Sequence, residues 1–324
     1  MAPRVLITGA TGFIGRRVVA AAVARADLGH LRLLVRPAAV GEEPKGYDTS
    51  LTETVIGDLR GPDSLRSACE GVDALIHCAS AIGGDEDLLR AVNDDGTRAL
   101  VDAAVRAGVT RIVALSTASV HGRGPFRAAT PGTLRPAPAS ATSRTRAAGE
   151  RHVMEAGGAV LRPHLVYGAG DRQLVPGLVR LLELLPGPLD AGTSLHSLID
   201  VDSLAGALLG AALSPRTEAG AYYVNHPEPV PVAELLAPCE ELLAGQAGQA
   251  GQAGWSRAAA VDLAEAYELL AGHPFGRHHL AMLATDHWFA DDRPWRELGC
   301  DPGPGFTAGF EAHARWYRDL LDPS

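Results

Sequence analysis

Short apolar runs alternate with amphipathic stretches along the first half of the chain. The apolar runs are predicted as strands at residues 5–8, 31–35, 53–56, 74–80, 111–115 and 160–167. Helical periodicity falls between them, at residues 16–24, 62–69, 93–107 and 140–150. Strands that alternate with helices predict a parallel sheet with right-handed crossovers. The pattern therefore indicates an α/β protein with a doubly wound parallel sheet.

A glycine-rich turn follows the first apolar run. It contains Thr8, Gly9, Thr11, Gly12, Phe13, Ile14 and Gly15. Gly9 suits the tight turn out of the strand, Gly12 lets backbone approach a pyrophosphate, and Gly15 lets the next helix pack closely on the sheet. The N–H groups at the start of that helix would face the anion. With a strand before it and a helix after it, the turn predicts a dinucleotide site on a Rossmann sheet; the alternative is an ordinary turn.

The end of the second run indicates which dinucleotide binds. Arg36 follows residues 31–35, at a position where a protein that prefers NAD usually carries a carboxylate for the ribose 2′-hydroxyl. A guanidinium there favours the 2′-phosphate of NADP, and Arg16 is a second candidate contact. The alternative is a solvated arginine ahead of Pro37.

Further segments are expected to line the cofactor. Asp58 and Leu59 follow the third strand, where a carboxylate can accept the adenine amino group, although a cap of a helix or turn explains Asp58 almost as well. The small residues after the fourth strand would let the dinucleotide lie against backbone, and the strand at 160–167 would border the nicotinamide. The residues expected in those two places are Cys78, Ala79, Ser80, Pro163 and Val166.

Hydroxyl groups mark the exit of the fifth strand. Residues 111–115 continue into STASVHG, so Ser116 and Thr117 are expected at the carboxyl edge of the sheet, where ligands bind in such folds. Both are candidate catalytic residues, and Thr117 is the principal one.

Several motifs together resemble one family. They are TGATGFIG, GDL, HCAS, STASVHG, LRPHLVYGAG and LGCDPGPGFTAGFEAHARWYRDL, and they span nearly the whole chain. This set is similar to the extended or atypical short-chain dehydrogenase/reductases, the epimerase/dehydratase-like group. The resemblance implies an NADP-binding Rossmann domain at residues 1–167, with 195–214 returning to it, and a smaller, mainly carboxyl-terminal substrate lobe from 168–194 and 215–324.

The chain departs from that family at the expected proton donor. The resemblance implies a hydroxyl at Thr117 that binds the substrate oxygen, and a tyrosine and a lysine, four residues apart, that supply the proton and hold the ribose. Alignment places Thr142 at the tyrosine and Arg146 at the lysine. A threonine hydroxyl ionises too weakly to replace a phenol, and arginine is effectively never deprotonated. Arg146 is therefore expected to bind the cofactor ribose, while Tyr167 belongs to the cofactor wall in the family pattern.

The second half of the chain is predicted to return once to the sheet. A helix at 178–185 precedes an apolar run at 195–201, and Asp202 is expected to cap a helix at 204–213. Helices at 231–243 and 257–270 would form a substrate cap, and the GQA repeat at 245–253 is interpreted as a flexible connector. Sugar-nucleotide members of the family usually carry an arginine where this chain has Leu195-His196-Ser197, which weakens the case for a sugar-nucleotide substrate.

No metal site is expected from the spacing of potential ligands. Four cysteines are far apart and are interpreted as reduced thiols: Cys69, Cys78, Cys239 and Cys300. Four histidines lie near one another in sequence, without cysteine or carboxylate partners at ligand spacing, and are interpreted as surface or packing residues: His273, His278, His279 and His287.

Composition limits the partners and the compartment. The chain has 324 residues, of which 46% are hydrophobic and 21% charged, as in ordinary globular proteins. Its net charge of −9 argues against a nucleic-acid partner. No run approaches the roughly 20 apolar residues of a membrane span, and the first strand begins by about Arg4, which leaves no room for a signal peptide. A cytoplasmic location is expected, and the sequence does not predict the oligomeric state.

These observations predict an NADPH-dependent ketoreductase. The resemblance extends to members that reduce an angucyclinone ketone without the usual tyrosine, so the expected substrate is an aromatic polyketide ketone in antibiotic biosynthesis. A substrate hydroxyl beside the ketone would help to supply the proton, and His121, His164 and His196 are rival donors. The alternatives are a non-catalytic NADP-binding regulatory protein and a sugar-nucleotide epimerase or dehydratase.

Overall fold

The described part of the chain folds into fifteen strands and twelve α-helices. The computed structural model describes residues 2–42, 51–246 and 258–321. The strands are β1 (Arg4–Thr8), β2 (His30–Val35), β3 (Thr52–Ile56), β4 (Ala74–His77), β5 (Arg111–Leu115), β6 (Phe126–Ala129), β7 (Ala159–Arg162), β8 (Leu165–Tyr167), β9 (Leu189–Asp190), β10 (Leu195–His196), β11 (Leu198–Asp200), β12 (Gly220–Tyr223), β13 (Val230–Pro231), β14 (Val261–Asp262) and β15 (His287–Phe289). The helices are α1 (Phe13–Val23), α2 (Pro62–Cys69), α3 (Glu86–Arg90), α4 (Thr97–Arg106), α5 (Ala141–Glu155), α6 (Leu174–Glu183), α7 (Val201–Leu213), α8 (Val232–Gln246), α9 (Leu263–Leu269), α10 (Pro274–Leu283), α11 (Arg293–Arg296) and α12 (Phe306–Leu321).

The central sheet has seven strands in the order β12-β7-β5-β4-β1-β2-β3. Every neighbouring pair in it is parallel. The winding reverses beside β1: β2 and β3 extend the sheet to one side, and β4, β5, β7 and β12 extend it to the other. In doubly wound sheets a ligand crevice lies at such a reversal, at the carboxyl ends of the strands. The predicted α/β fold is confirmed.

Helices cover both faces of this sheet. Val5 and Ile7 of β1 pack into one buried core with α1 and α7, while Leu6 between them packs into a second core with α2, α4 and α5. Because successive side chains of a strand point to opposite faces, a run that is apolar throughout fits a strand buried on both sides.

A second group of elements lies beyond the sheet. A four-stranded sheet has the order β13-β10-β15-β6, and two strand pairs are formed by β11 with β8 and by β14 with β9. A third core joins α6, α8 and α12, with Tyr167, Tyr317 and Cys239 fully buried in it. The strand β12, which the sequence-based division assigned to the substrate lobe, is instead the edge strand of the central sheet.

Residues 195–201 do not return to the central sheet as predicted. Leu195 and His196 belong to the four-stranded sheet, and Leu198–Asp200 pairs with β8. The following helix, α7, packs on the central sheet, and Ile199 of β11 joins the same core. The predicted strand at 160–167 is also two strands, because Pro163 fixes its backbone angle and has no N–H to continue the ladder.

The cap of α7 is Asp200, and the prediction of Asp202 was wrong. The Asp200 carboxylate accepts hydrogen bonds from the N–H groups of Asp202 and Ser203 at 2.7 and 3.4 Å. Asp202 lies in the first helical turn and forms an ion pair with Arg17. Both carboxylates suit a helix start, so the sequence alone did not separate the cap from the first-turn position.

Other predicted boundaries also shift. Helix α1 begins at Phe13 with Gly12 as its N-cap, α6 begins at Leu174, and a π-helical turn at Ala91–Gly96 precedes α4. Residues 247–257, which hold most of the GQA repeat and the predicted start of the 257–270 helix, lie outside the described residues. Among the helices that the structure does describe, none has the length and apolar character needed to cross a membrane.

Candidate active site

Two glycines fix the shape of the turn after β1. Gly9 has φ of +73°, and a Cβ atom there would lie 2.6–2.8 Å from the backbone of Cys78 and Ala79. A Cβ atom on Gly15 would lie 2.0 Å from the carbonyl oxygen of Gly9. The close approach that requires Gly15 is therefore to the turn itself, whereas the sequence analysis assigned it to the sheet. Side chains larger than hydrogen at either position would push the turn and α1 apart.

The start of α1 is suited to an anion. Its N-cap, Gly12, offers no side-chain cap to the free N–H groups of the first turn. Such groups, together with the helix dipole, favour a phosphate. Thr11, Phe13 and Ile14 lie in this turn as predicted from the motif, and the carbonyl of Thr11 accepts a hydrogen bond from Arg16 Nε at 2.7 Å.

A buried hydrogen-bond chain holds the exits of β1 and β4 together. The Thr8 hydroxyl lies 2.7 Å from His77 Nδ1, and His77 Nε2 lies 3.0 Å from the Thr97 hydroxyl. Thr8 also accepts a hydrogen bond from Ala79 N–H. Burial lowers the pKa of His77 to about 4, so the ring is neutral at pH 7 and serves to position the Cys78-Ala79-Ser80 segment. Burial raises the pKa of Cys78 to about 12, which leaves an unreactive thiol.

The arginines predicted to select NADP lie in different surroundings. Arg36 is exposed directly after β2, and within the described ranges no hydrogen bond or ion pair holds its guanidinium. Arg16 bridges the glycine turn and the segment after β2, because its Nη2 also donates to the carbonyl of Glu42 at 2.7 Å. Arg36 is thus available to an anion, while Arg16 already holds the glycine turn and the segment after β2 together.

Asp58 is engaged by a neighbouring residue. Its carboxylate accepts hydrogen bonds from the backbone N–H, Nε and Nη2 of Arg60 at 2.9–3.1 Å. The Arg60 hydrogen bonds lower the pKa of Asp58, and the charge of Arg36 contributes to the same shift. Leu59 is buried beside it. A contact from Asp58 to adenine must therefore share the carboxylate with Arg60.

Ser116 and Thr117 lie at the exit of β5, but their hydroxyls are in different environments. The Ser116 hydroxyl is buried and has no hydrogen-bond partner among the described residues. Thr117 is half-buried and is the N-cap of the 3₁₀ turn Ala118–His121: its oxygen accepts from Ser119 N–H at 3.2 Å and its proton is directed at Ser119 Oγ, 3.1 Å away. Thr117 can turn its proton toward a ligand only by giving up the contact with Ser119 Oγ.

Helix α5 brings Arg146 to the same exit. Ser140 caps the helix, and Thr142 and Arg146 are one turn apart on one face of it. Nη2 of Arg146 donates a hydrogen bond to the carbonyl of Leu115, the last residue of β5, at 3.0 Å. Burial lowers the pKa of Arg146 and the nearby Glu150 charge opposes that shift; a guanidinium nevertheless stays protonated.

A cavity of about 20 Å³ lies between α5 and the exits of β4 and β5. Its lining includes His77, Ser80, Asn93, Ser116, Arg146 and Glu150. This volume suits one water molecule, which needs several polar partners of the kind found here. The unpaired Ser116 hydroxyl is a ready partner for it.

Asn93 is a site residue that the sequence analysis did not select. Its amide oxygen accepts from Ala81 N–H at 2.7 Å, and its NH₂ group donates to the Ala81 carbonyl and the Thr145 hydroxyl at 3.0 and 3.1 Å. It thereby ties the segment after β4 to α5. Asn93 is buried, and no local sequence pattern indicated its role, because its partners lie in other segments.

No displaced tyrosine replaces Thr142 among the residues that the structure describes. The hydroxyls of four of the five described tyrosines are held by internal hydrogen bonds: those of Tyr167, Tyr222, Tyr223 and Tyr317. The fifth, Tyr267, lies in α9 and packs against the third core. Burial raises the pKa of Tyr167, whose hydroxyl donates to the Gly305 carbonyl at 3.2 Å. The single lysine of the chain, Lys45, lies outside the described residues. The family's tyrosine–lysine pair is absent from α5.

The segment expected to border the nicotinamide is anchored to the exit of β5. The carbonyl of Pro163 accepts a hydrogen bond from Ala118 N–H at 2.8 Å, and Val166 follows half-buried in β8. Below this segment Arg162 forms a buried two-point ion pair with Glu150, at 2.6 and 2.9 Å. Pro163 is thus held beside the residue that follows Thr117, and the roles of Pro163 and Val166 toward a cofactor stay predictions.

His121 belongs to the same buried network. Its Nε2 lies 2.8 Å from the Tyr223 hydroxyl and 3.4 Å from Arg162. Burial lowers the pKa of His121, and the Arg162 charge adds to the shift. A neutral ring that is held in this way is a poor proton donor near pH 7.

A larger cavity of about 470 Å³ opens beyond the end of β12. Its lining includes Asn225, Phe289, Arg293 and Trp295. The side-chain N–H donors of Asn225 and Trp295 are buried there without partners in the described part of the chain. The volume falls in the range of small-molecule sites, about 300–1,000 Å³.

The chain belongs to the 3-beta hydroxysteroid dehydrogenase/isomerase family, whose model matches residues 6–232. The family lies within the extended short-chain dehydrogenase/reductases, so the predicted family is confirmed. Because curated relatives are named reductases and dehydrogenases of this superfamily, the protein is an NAD(P)-dependent oxidoreductase.

Two curated relatives match over almost the full length of both chains. One is the 2-alkyl-3-oxoalkanoate reductase of Stenotrophomonas maltophilia, 29% identical over 95% of this chain and 97% of the relative. The other is the 4-hydroxy-2-methyl-3-oxo-4-farnesyl-3,4-dihydroquinoline-1-oxide ketoreductase of Stigmatella aurantiaca, 29% identical over 91% of each. Among solved structures, the Bordetella bronchiseptica enzyme WbmH in complex with NAD⁺ matches 98% of this chain and 99% of its own, with a TM-score of 0.74 and 17% identity, which shows the fold.

Proposed function

We propose that the protein is an NADPH-dependent ketoreductase that acts on an aromatic polyketide ketone of the angucyclinone type, in antibiotic biosynthesis. One observation carries the proposal: Thr117 and Arg146 remain at the exit of β5, while Thr142 stands where the family has its tyrosine. The site thus keeps the groups that bind cofactor and substrate oxygen and lacks the family's proton donor. A substrate that brings its own acidic hydroxyl fits that combination.

The proposed preference for NADPH rests on Arg36. Its guanidinium is exposed at the carboxyl end of β2, the position from which a side chain reaches the ribose 2′ substituent. It can pair with two oxygens of a 2′-phosphate, and Asp58 beside it is already paired with Arg60. The region therefore offers the Arg36 cation to the cofactor, while the Asp58 carboxylate is already paired with Arg60.

The groups at the exit of β5 define the reducing step. Bound NADPH supplies a hydride to the carbonyl carbon of the ketone. Thr117 turns its hydroxyl proton from Ser119 to the ketone oxygen and stabilises the negative charge that develops there. Arg146, held on the Leu115 carbonyl, would bind the ribose hydroxyls of the cofactor.

The proton comes from the substrate in this proposal. A hydroxyl next to the ketone polarises the carbonyl, transfers its proton to the new alkoxide and regains a proton from water. The quinoline ketoreductase of Stigmatella aurantiaca supports a cyclic ketone with a neighbouring hydroxyl as the substrate class, because its name places a 4-hydroxy group beside the 3-oxo group. The larger cavity, whose lining includes Phe289 and Trp295, offers aromatic surface to such a ring system.

The proposal is tested with two aromatic ketones, one with a hydroxyl beside the carbonyl and one with that hydroxyl methylated. The expected result is a fall in kcat of about 10²–10⁴ for the methyl ether, the usual contribution of a positioned acid. The dissociation constants of both ketones are measured separately, because the methyl group also adds bulk. Equal kcat values for the two bound ketones would reject substrate assistance. A loss that instead followed His121→Gln would move the acid to the protein.

A non-catalytic NADP-binding regulator is a second candidate. The hydroxyl of Thr117 is engaged by Ser119, and the Asp58 carboxylate is engaged by Arg60, as expected if both had become structural. A regulator would bind NADPH and leave every hydroxyketone unreduced. Turnover of any one of them, followed by NADPH absorbance, removes this candidate.

A further inference from the structure

Three histidines from distant parts of the sequence meet between the central sheet and the four-stranded sheet. They are His164, which follows β7 and Pro163, His196 of β10 and His287 of β15. The centroids of their rings are 5.3 Å apart for His164 and His287, and 6.2 Å apart for the other two pairs. Each can present one nitrogen so that the three nitrogens lie within 4.8 Å of one another.

The backbone fixes this arrangement. His196 and His287 are direct partners in the parallel pairing of β10 with β15, so their side chains project from the same face of the sheet at the same level. His164 is held opposite them through its own N–H, which donates to the side-chain oxygen of Asn225 at 2.8 Å. Phe126 and Phe289 pack against the histidine rings and close the cluster with apolar surface.

Hydrogen bonds determine which nitrogens are available. His196 Nε2 faces the Leu283 carbonyl and the Ser194 oxygen, while the Ser194 hydroxyl itself donates to Leu283. Nε2 therefore carries the proton, and the lone pair of His196 is on Nδ1, which is buried without a partner. His287 Nδ1 likewise donates to the Thr285 carbonyl at 2.8 Å, which leaves the lone pair on Nε2.

The ring nitrogens that carry the lone pairs are poorly satisfied. His164 Nε2 is buried and has no partner among the described residues, and His287 Nε2 accepts only the Gly124 N–H, at 3.2 Å. Buried polar atoms without partners are rare in proteins and indicate a water or an ion at the site. Ring N–H groups that donate to backbone carbonyls on the outer side are the arrangement that orients histidines around a metal ion.

We propose that His164, His196 and His287 bind a Zn²⁺ ion through His164 Nε2, His196 Nδ1 and His287 Nε2. A set of three imidazoles suits a borderline transition-metal ion and is unlike the oxygen sites of Mg²⁺ or Ca²⁺. Zn–N distances of about 2.0–2.1 Å place tetrahedral ligand nitrogens about 3.3 Å apart. The three rings lie nearly parallel, with interplanar angles of 11–17°, so they must turn to direct their lone pairs at one point, and His287 must release Gly124. The described part of the chain offers no carboxylate or thiolate at the same spacing, so the fourth position would take water or a small ligand.

The charges at the cluster permit a cation. Burial lowers the pKa of all three histidines, to about 4 for His196, so the rings are in the neutral form that metals require. The Asp286 carboxylate acts on His196 and His287 in the opposite direction and is the nearby negative charge. Asp286 also holds Leu195 N–H and Arg127, which places it beside the ion without making it a ligand.

The test uses the full chain without a histidine tag, freed of metal with a chelator. Zn²⁺ is titrated against a chromophoric chelator, and Co²⁺ is titrated with detection of its visible absorption. One equivalent of Zn²⁺ is expected, with the intense Co²⁺ bands of a four-coordinate site. Zn²⁺ at about 100 times its dissociation constant should also raise the Tm by several degrees, because it binds only the folded chain.

Single variants separate this cluster from other histidines. His196→Gln and His287→Gln should weaken Zn²⁺ binding at least about 100-fold. Loss of a residue that only hydrogen-bonds to a metal ligand already lowers metal affinity about 10- to 100-fold. His278→Gln is the matched control, because His278 is exposed on α10, and it should bind Zn²⁺ as the wild type does. Equal binding by all these proteins, or loss only in the His278 variant, would overturn the proposal.

A measurement on the unmodified protein covers the case in which a variant does not fold. Zinc-edge X-ray absorption of the loaded wild type should show three imidazole nitrogens at about 2.0 Å. A spectrum dominated by oxygen ligands would mean that Zn²⁺ binds elsewhere. Failure of the wild type to retain any Zn²⁺ after gel filtration would mean that the histidines bridge only a water, and would also overturn the proposal.

Discussion

The turn after β1 and the exit of β5 face the same carboxyl edge of the sheet but are constrained in different ways. In the turn, the packing of α1 on the glycine-rich loop depends on backbone atoms: a Cβ on Gly15 would lie 2.0 Å from the Gly9 carbonyl. At the exit of β5 it depends on single side chains, Thr117 and Arg146, each of which also bonds to its neighbours. A turn in which backbone atoms pack this closely tolerates almost no substitution of its glycines. A single side chain, by contrast, can change if the substrate or a water takes over its role.

The comparison accounts for what the chain keeps and what it lacks. All three glycines of the turn are present, while α5 carries Thr142 and Arg146 in place of a tyrosine and a lysine. Arg146 now ties α5 to β5 through the Leu115 carbonyl, and Asn93 ties α5 to the segment after β4 through Thr145. The scaffold around the missing acid is thus intact, as a working reductase with another proton source requires.

The largest effect is expected at the glycine turn. Gly15→Ala places a methyl group against the Gly9 carbonyl, so α1 must shift away from the turn that is predicted to bind the pyrophosphate. We expect NADPH binding to fall below detection and stability to fall by about 1–3 kcal/mol or more, the usual cost of overpacking. Fluorescence titration with NADPH and thermal unfolding measure the two effects.

A helical glycine in open space is the control for this variant. A Cβ on Gly206, in α7, would have no atom within 4 Å. Gly206→Ala should keep NADPH affinity and stabilise the fold by up to about 1 kcal/mol, the difference in helix propensity. Normal NADPH binding by the Gly15 variant would show that the turn can adapt and would remove the contrast between the two regions.

The next effect is expected at Thr117. Thr117→Val keeps the shape of the side chain and removes the hydroxyl proposed to stabilise the alkoxide. We expect kcat for the hydroxyketone to fall about 10²–10³-fold, as on loss of one oxyanion donor, with NADPH affinity unchanged. Thr117→Ser should retain most of the activity.

Thr117 also caps the 3₁₀ turn Ala118–His121, so its variants need a check on folding. Circular dichroism and Tm that match the wild type would show that the turn is undisturbed and that a lower kcat reflects the lost hydroxyl donor. If the Val variant reduced the ketone at the wild-type rate, Thr117 would be only a cap, and Ser116, with its unpaired hydroxyl, would become the candidate donor.

A smaller effect is expected at Arg36. Arg36→Ala should raise the dissociation constant of NADPH tenfold or more and leave that of NADH nearly unchanged, because a charge-assisted hydrogen bond contributes about 1.5–3 kcal/mol. Arg66→Ala is the control, since Arg66 is exposed on α2 and forms only a long ion pair with Asp63, at 3.9 Å. Equal affinity of the wild type for the two cofactors would refute the prediction.

The sequence predicted six of the seven strands of the central sheet, because short apolar runs mark most of them, and it missed the edge strand β12. Val5, Leu6 and Ile7 are all buried, and burial on both faces leaves a run without alternation. The positions of Gly9, Gly15 and Arg36 followed from the same pattern, because a tight turn after a buried strand can adopt few backbone conformations. The roles of these residues toward a cofactor stay predictions.

The sequence was less informative where function depends on contacts between distant segments. His196 and His287 are 91 positions apart and meet through strand register, which no local pattern encodes. The sequence analysis grouped His287 with His273, His278 and His279, yet the structure places it with His164 and His196. Asn93 was missed for the same reason, since its importance lies in bonds to Ala81 and Thr145.

The smallest effect is expected at Thr142, the position of the family's proton donor. Thr142 lies in the first turn of α5, and only its carbonyl, which accepts from the Thr145 hydroxyl at 3.1 Å, has a hydrogen-bond partner within the described residues. If the substrate hydroxyl supplies the proton, Thr142→Val should reduce the hydroxyketone at a rate within about threefold of the wild type, less than about 0.7 kcal/mol in activation free energy. The same variant assayed with the methyl ether should be as slow as the wild type is with it. A loss of more than 100-fold with the hydroxyketone would place the acid on Thr142. The proton region would then be as intolerant of substitution as the glycine turn, and the contrast drawn between them would fail.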